Sequence, residues 1–308
     1  MNVFKKVPIP ICAVILGMFG LGNLLQSYSE GVRLLCGAVG AVLMVMFLIR
    51  VLLDWKKFCN EMENPIMASV FCAFPMAVMM LATYVKPYIG SPTKASWFVG
   101  VAIHVVMILY FTAKFVLHFS LEKVFASWFI VYVGIAMAGI TAPAFGTESI
   151  GSACVWFGIV ALMVLLILVT MRYVKKPVPD PAKPVICIYA APTSLCIAGY
   201  IQSVTPKSLS LLTVLWAVAT VLFVLACIKF VQYWKLPFFP SYSAYTFPFV
   251  ISAIASKQLM ACAANLGNPM AFLNTVVLVE TIIATCTTLY ALIRYLIFLF
   301  QEPKQAAK

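Results

Sequence analysis

Apolar and polar positions along this chain come in blocks. They follow neither the two-residue rhythm of a strand nor the striped pattern of a surface helix. Apolar runs cover about 7–28, 33–55, 65–85, 94–118, 127–146, 149–172, 184–204, 208–234, 241–263 and 271–300, with short polar connections between them. About 20 apolar residues in a helix match the hydrocarbon thickness of a bilayer. The pattern predicts an all-α integral membrane protein: ten transmembrane helices in a single transmembrane domain over 1–308.

Prolines are distributed unevenly over these runs. Odd-numbered runs open near Pro8, Pro65, Ser127, Pro184 and Pro240, in steps of 57, 62, 57 and 56 residues. One step is the length of one helical hairpin, so the chain reads as five hairpins, a repeat that takes precedence over finer signals. Odd runs are interrupted again further in: by Gly17 and Gly20, by Pro75, by Gly134 and Gly139 with Pro143 near the end, by Pro192, and by Pro248. The even runs contain no proline. Backbone groups freed by a break cannot face lipid and must be buried in protein or line a wet cavity. The expected architecture is therefore a quasi-fivefold inner ring of broken odd helices around a central pore, with unbroken even helices outside.

Composition sharpens this picture. The chain is 64% hydrophobic and 10% charged, against roughly 25% charged in ordinary soluble proteins. The formal net charge of +12 would point to nucleic acid in a soluble protein. Here most of it follows topology. Connections after even runs carry Lys56, Lys57, Lys123, Arg172, Lys175, Lys176, Lys183 and Lys235, and the termini add Lys5, Lys6, Lys304 and Lys308. Connections after odd runs carry only Arg33, Lys86, Lys94 and Lys207. The positive-inside rule then sets both termini in the cytoplasm, in a multi-pass plasma (inner) membrane protein without nucleic-acid partners. The opening "MNVFKKVPIPICAVILGMFGLGN" has a signal-peptide shape but lacks a small-x-small cleavage site, so it reads as a retained first span.

Candidate chemistry is sparse. The ten cysteines form no CxxC pair, and His104 and His118 have no carboxylate at ligand spacing, so neither a metal nor another cofactor is expected. There is no GxxxxGK[ST] phosphate loop and no constellation of nucleophile and base, which argues against ATP use and against an enzyme. Near mid-membrane the one conspicuous charge is Glu280, either a structural acid or a site of proton coupling. Lys114 and Lys257 lie nearer span ends, and Lys257 is placed to reach a pathway from the outer side. The expected pore lining is apolar with small polar side chains: Ser69, Thr193, Ser194, Tyr245, Thr246 and Ser252. With no carboxylate ring for cations, the partial positive charge of half-helix N-termini favours anions.

Five hairpins, prolines confined to odd helices, and the stretches "NPIMASVFCAFPMAV" and "AYTFPF" resemble the tellurite-resistance/dicarboxylate transporter family over roughly 7–300. That family includes bacterial tellurite-resistance protein A, plant guard-cell slow anion channels and fungal malate permeases. The resemblance implies a homotrimer with one pore per protomer, closed by a phenylalanine of the ninth helix, here Phe247. It also implies conduction of small anions such as chloride or nitrate. The alternatives are proton-coupled carriage of malate-like C4-dicarboxylates, or of tellurite or sulfite. Expected partners are small inorganic or carboxylate anions and membrane lipids.

Overall fold

The computed structural model describes residues 3–301; Lys304 and Lys308 lie outside them. Among the described residues the chain is all-helical. Eight helices are long and apolar enough to cross a membrane: α2 (Glu30–Leu53), α3 (Pro65–Ile89), α4 (Thr93–Val116), α6 (Glu148–Lys175), α7 (Asp180–Ser203), α8 (Leu209–Tyr233), α9 (Pro240–Asn265) and α10 (Leu273–Phe300). Two apolar helices are shorter, α1 (Ile11–Leu25) and α5 (Gly134–Phe145).

Local chemistry sets several helix starts. Asn64 caps α3, its Oδ1 accepting from the N–H of Ile66 at 2.9 Å and of Met67 at 3.3 Å, while Pro65 occupies the first turn, where no intrahelical donor is lost. Ser29 and Ser208 cap α2 and α8 in the same way, each at 3.3 Å.

Burial separates the two sets. Of the most apolar stretch, 94% is buried in α7 and 67% in α3 and α9, against 28% in α4, α6 and α8. Nearly all of α1 is buried. The exposed face of the even helices is apolar, as at Val42, Ile167 and Val221. That surface suits hydrocarbon and would be a liability in water.

Each odd helix packs on the even helix that follows it. The odd helices also pack on one another, α1 on α3, α3 on α5, α5 on α7, α7 on α9, and α9 back on α1. Apolar side chains gain little by meeting each other rather than lipid, so close packing through small residues has to hold such helices together. Gly17 shows how close this is: a Cβ there would lie 2.6 Å from Thr246 Cβ.

The odd helices are broken, though not everywhere the sequence implied. α3 divides at Cys72 into Pro65–Phe71 and Ala73–Ile89. α7 and α9 each start as 3₁₀ helix, over Asp180–Ala190 and Pro240–Tyr245, then continue as α-helix from Pro192 and Phe247. Such 3₁₀ runs exceed the usual three or four residues. α5 alternates short 3₁₀ and α pieces and follows a short helix, Trp128–Tyr132. α1 corrects the sequence reading, because it is one continuous helix through Gly17 and Gly20. Those glycines serve close approach to α9 rather than a bend.

Candidate functional site

The break in α9 is built around Thr246, whose backbone sits at φ −105°, ψ −100°. Pro248 falls in the first turn of the helix that starts at Phe247. The N–H it lacks would have had no partner there, so its roughly 3 kcal/mol helix-interior penalty is avoided. Pro192 takes the equivalent place in α7.

Hydroxyls near the breaks turn to backbone carbonyls. Thr246 Oγ1 is 2.7 Å from Ser243 O and 2.9 Å from Ala13 O on α1. Ala190 O accepts from Ser194 Oγ at 3.0 Å and from Ser252 Oγ at 2.9 Å. Ser69 Oγ donates to Pro65 O and lies 2.7 Å from Ser127 Oγ. These bonds give the buried hydroxyls partners, without which each would cost about 1–3 kcal/mol. They also engage the Ser69, Ser194, Thr246 and Ser252 hydroxyls away from the centre. Of the six polar residues expected to line a pathway, Ser69, Thr193, Ser194, Tyr245, Thr246 and Ser252, none lines the cavity there.

That cavity is narrow, about 30 Å³, room for no more than about two waters. Every odd segment contributes: Ala13 and Leu16 of α1, Val70, Ala73 and Met76 of α3, Phe129 and Ile130 before α5, Ile188, Pro192 and Leu195 of α7, and Phe247 and Pro248 of α9. No charged side chain lines it. Towards the N-terminal ends of the odd helices lies a wider space of about 220 Å³, walled by Pro10, Asn64, Pro181 and Pro240 among others. The two spaces share Val70, Ile188, Ser243 and Ala244. At the opposite ends, about 410 Å³ lies between α7 and α9, lined in part by Gln202, Lys207, Gln258 and Asn265. Burial holds the Lys207 ammonium below the usual lysine range.

Phe247 is 4% exposed and packs over Gly20, whose added Cβ would meet its ring carbons at 3.3 and 3.4 Å. Its ring thus sits between α1 and the narrow space. Phe247, Pro248 and Pro192 converge on the cavity. The other marked residues do not line it. Pro75 lies two residues past Ala73, Gly134 packs against Met76 and His104, Gly139 faces α6, and Pro143 is exposed. Thr193 is buried with an unpartnered Oγ1. Glu280 is also buried and off the cavity, set against Ser256 of α9, with Oε2 unpartnered. The same Ser256 accepts from Trp216 Nε1 at 3.0 Å. Phe129 and Ile130 were not singled out from the sequence, although they follow Ser127 at the start of the third repeat by two and three residues.

A family model described as SLAC1, voltage-dependent anion channel, matches residues 6–296. The chain belongs to the SLAC1 family. The match runs from before α1 into the end of α10, so it covers every helix that lines the cavity. This SLAC1 family protein is a multi-pass membrane protein of an anion channel and transporter family, consistent with the tellurite-resistance/dicarboxylate resemblance. No curated protein sequence matches it.

Proposed function

We propose that this protein conducts small monovalent anions of the chloride or nitrate kind through a pore in each protomer, and that Phe247 closes the pore. In this reading α1 to α10 all span the membrane as five hairpins in quasi-fivefold order, forming one domain over 1–308. The protomers assemble as a homotrimer in the plasma membrane, with both termini cytoplasmic. The observation that carries the reading is the narrow cavity to which all five odd segments contribute, with the Phe247 ring in its wall beside the break.

The chemistry supports an anion pathway of low affinity. The wider space at the N-terminal ends lies among helix starts, where partial positive charge and free N–H groups attract anions. The narrow part is apolar, which suits closure by exclusion of water and offers no tight binding site. Carriage of a doubly charged dicarboxylate would require fixed cations at the centre, and none lines the cavity. The carrier alternative rests on Glu280, a buried acid with an unpartnered oxygen. Its distance from the cavity lining supports the structural role instead.

Flux from proteoliposomes with a panel of chloride, nitrate, sulfite, tellurite and malate, with and without a pH gradient, tests the proposal. Channel-like flux of monovalent anions that ignores the proton gradient is expected. Uptake of dicarboxylate driven only by the gradient would replace this reading with the carrier.

A further inference from the structure

We propose that Lys86, Lys207 and Lys257 neutralise the C-terminal poles of the inner helices and so keep the far mouth of the pathway permissive to anions. The inference rests on the channel reading above and concerns its ion selectivity.

The hairpin order makes α1, α3, α5, α7 and α9 run in the same direction, so their C-termini gather at one end. A helix C-terminus leaves carbonyls without intrahelical partners and carries about half a negative charge. Several such poles around one mouth would gather cations and repel anions, opposing at the exit what the N-termini favour at the entrance. Three of the poles are met by an ammonium group. Lys257 of α9 donates to Leu24 O of α1 at 3.0 Å and to Ser27 Oγ at 2.6 Å. Lys86 of α3 donates to Ala144 O at the end of α5. Lys207 turns back on α7, donating to Tyr200 O at 3.4 Å and to Val204 O. The ends of α3 and α9 close on glycine-centred turns instead, at Gly90 and Gly267, both with φ +78°.

Two features separate this arrangement from ordinary helix capping. Lys257 and Lys86 each reach from one inner helix to the end of another, 233 and 58 residues away in sequence. Among the described residues none of the three has a carboxylate partner. At the opposite end Arg50, Lys114, Lys176 and Lys183 are each paired with an acid, whereas among the described residues Lys56, Lys57, Lys123 and Lys175 are not. The acids at the lysine end, Glu30 and Glu148, sit in the first turns of the outer helices α2 and α6, where a negative charge complements that helix's own pole, and Glu30 is also paired with Arg33. No carboxylate therefore competes with the helix poles for these lysines, and Lys207, on the connection between α7 and α8, lies in the wall of the polar space at this mouth.

Selectivity is the test, because a purely structural cap would alter stability alone. Reversal potentials are measured in a KCl gradient on the purified protein in lipid bilayers, with Phe247→Ala as the conducting parent. A unit charge about 10 Å from an ion in water-like surroundings changes its local concentration about twofold, in opposite senses for the two signs. Lys257→Met is expected to lower the chloride-to-potassium permeability ratio about fourfold, and the triple Lys86→Met/Lys207→Met/Lys257→Met by more than about tenfold. The triple Lys→Arg variant should keep the parent ratio. For a chemical counterpart that does not depend on the triple variant folding, Lys257→Cys is placed in a background with Cys59 and Cys286 changed to Ser. It is treated with a neutral methyl or a cationic aminoethyl methanethiosulfonate, and only the cationic reagent should restore the ratio. An unchanged ratio in Lys257→Cys whichever reagent is bound, or in a folded triple Met variant, overturns the inference and leaves the channel reading standing. A parent that carries no anion current overturns the channel reading, and this inference with it.

Discussion

Gly17→Ala puts the joint between α1 and the α9 break under direct strain. A Cβ at Gly17 would lie 2.6 Å from Thr246 Cβ, 2.8 Å from its Oγ1 and 3.0 Å from Phe247 N. The last of these is backbone, and Thr246 is held in place by Ala13 O at 2.9 Å and Ser243 O at 2.7 Å, so no side-chain rotation relieves the overlap. Overpacking of this kind costs about 1–3 kcal/mol, and displacing the Thr246 hydroxyl from Ala13 O adds about 1 kcal/mol. Less the up to about 1 kcal/mol that alanine gains over glycine inside a helix, the net cost is about 1–3 kcal/mol, a fall in unfolding temperature of at least about 2 °C at 2–4 °C per kcal/mol. The assay is thermal unfolding in detergent, read by a maleimide fluorophore. Cys59, exposed between α2 and α3, labels at once, while Cys12, Cys72, Cys187 and Cys196 are buried and report unfolding. Gly31→Ala is the control, since its Cβ would meet nothing closer than Ser29 Oγ at 3.5 Å and alanine favours the helix by up to about 1 kcal/mol. Wild-type stability in Gly17→Ala would refute the close packing of α1 on the break.

Two further outcomes follow from the same account. Glu280→Gln should fold and leave anion flux and its pH dependence little changed, because the residue is buried off the cavity beside Ser256; loss of gradient-driven uptake would promote the carrier. In a background lacking Cys59 and Cys286, Lys207→Cys should react with a membrane-impermeant thiol reagent on intact cells and Lys176→Cys should not, and the reverse would invert the topology.

The sequence carried the division into buried odd and exposed even helices, because lipid leaves no other place for a proline-broken backbone. Pro192 and Pro248 marked their breaks within a residue or two, since proline costs a helix least in its first turn and so favours a restart there. Gly17 and Gly20 were ambiguous. Glycine signals either a flexible backbone or a close neighbour, and the neighbour, Thr246, is more than 200 positions away. Ser69, Ser194, Thr246 and Ser252 were misjudged for a related reason. Near a break, a hydroxyl meets a freed carbonyl before it meets a conduit, and Ser194 and Ser252 both turn to Ala190 O. Phe129 lacks an adjacent proline or glycine, so no local signal distinguished it from the many apolar residues packed between helices.

The central claim is that Phe247 closes an anion pathway, and chloride current through Phe247→Ala tests it most directly. Truncating an ordinary core phenylalanine costs about 3–5 kcal/mol and would lower both folded yield and current. Removing a ring from the wall of a cavity of about 30 Å³ should instead widen the narrowest point. Phe249→Ala is the neighbouring control, because Phe249 is fully buried against Phe223 and Phe230 and does not line the cavity. The account predicts chloride current in folded Phe247→Ala well above wild type, with none of that gain in Phe249→Ala. Current at or below the wild-type level from a well-folded Phe247→Ala protein would contradict it.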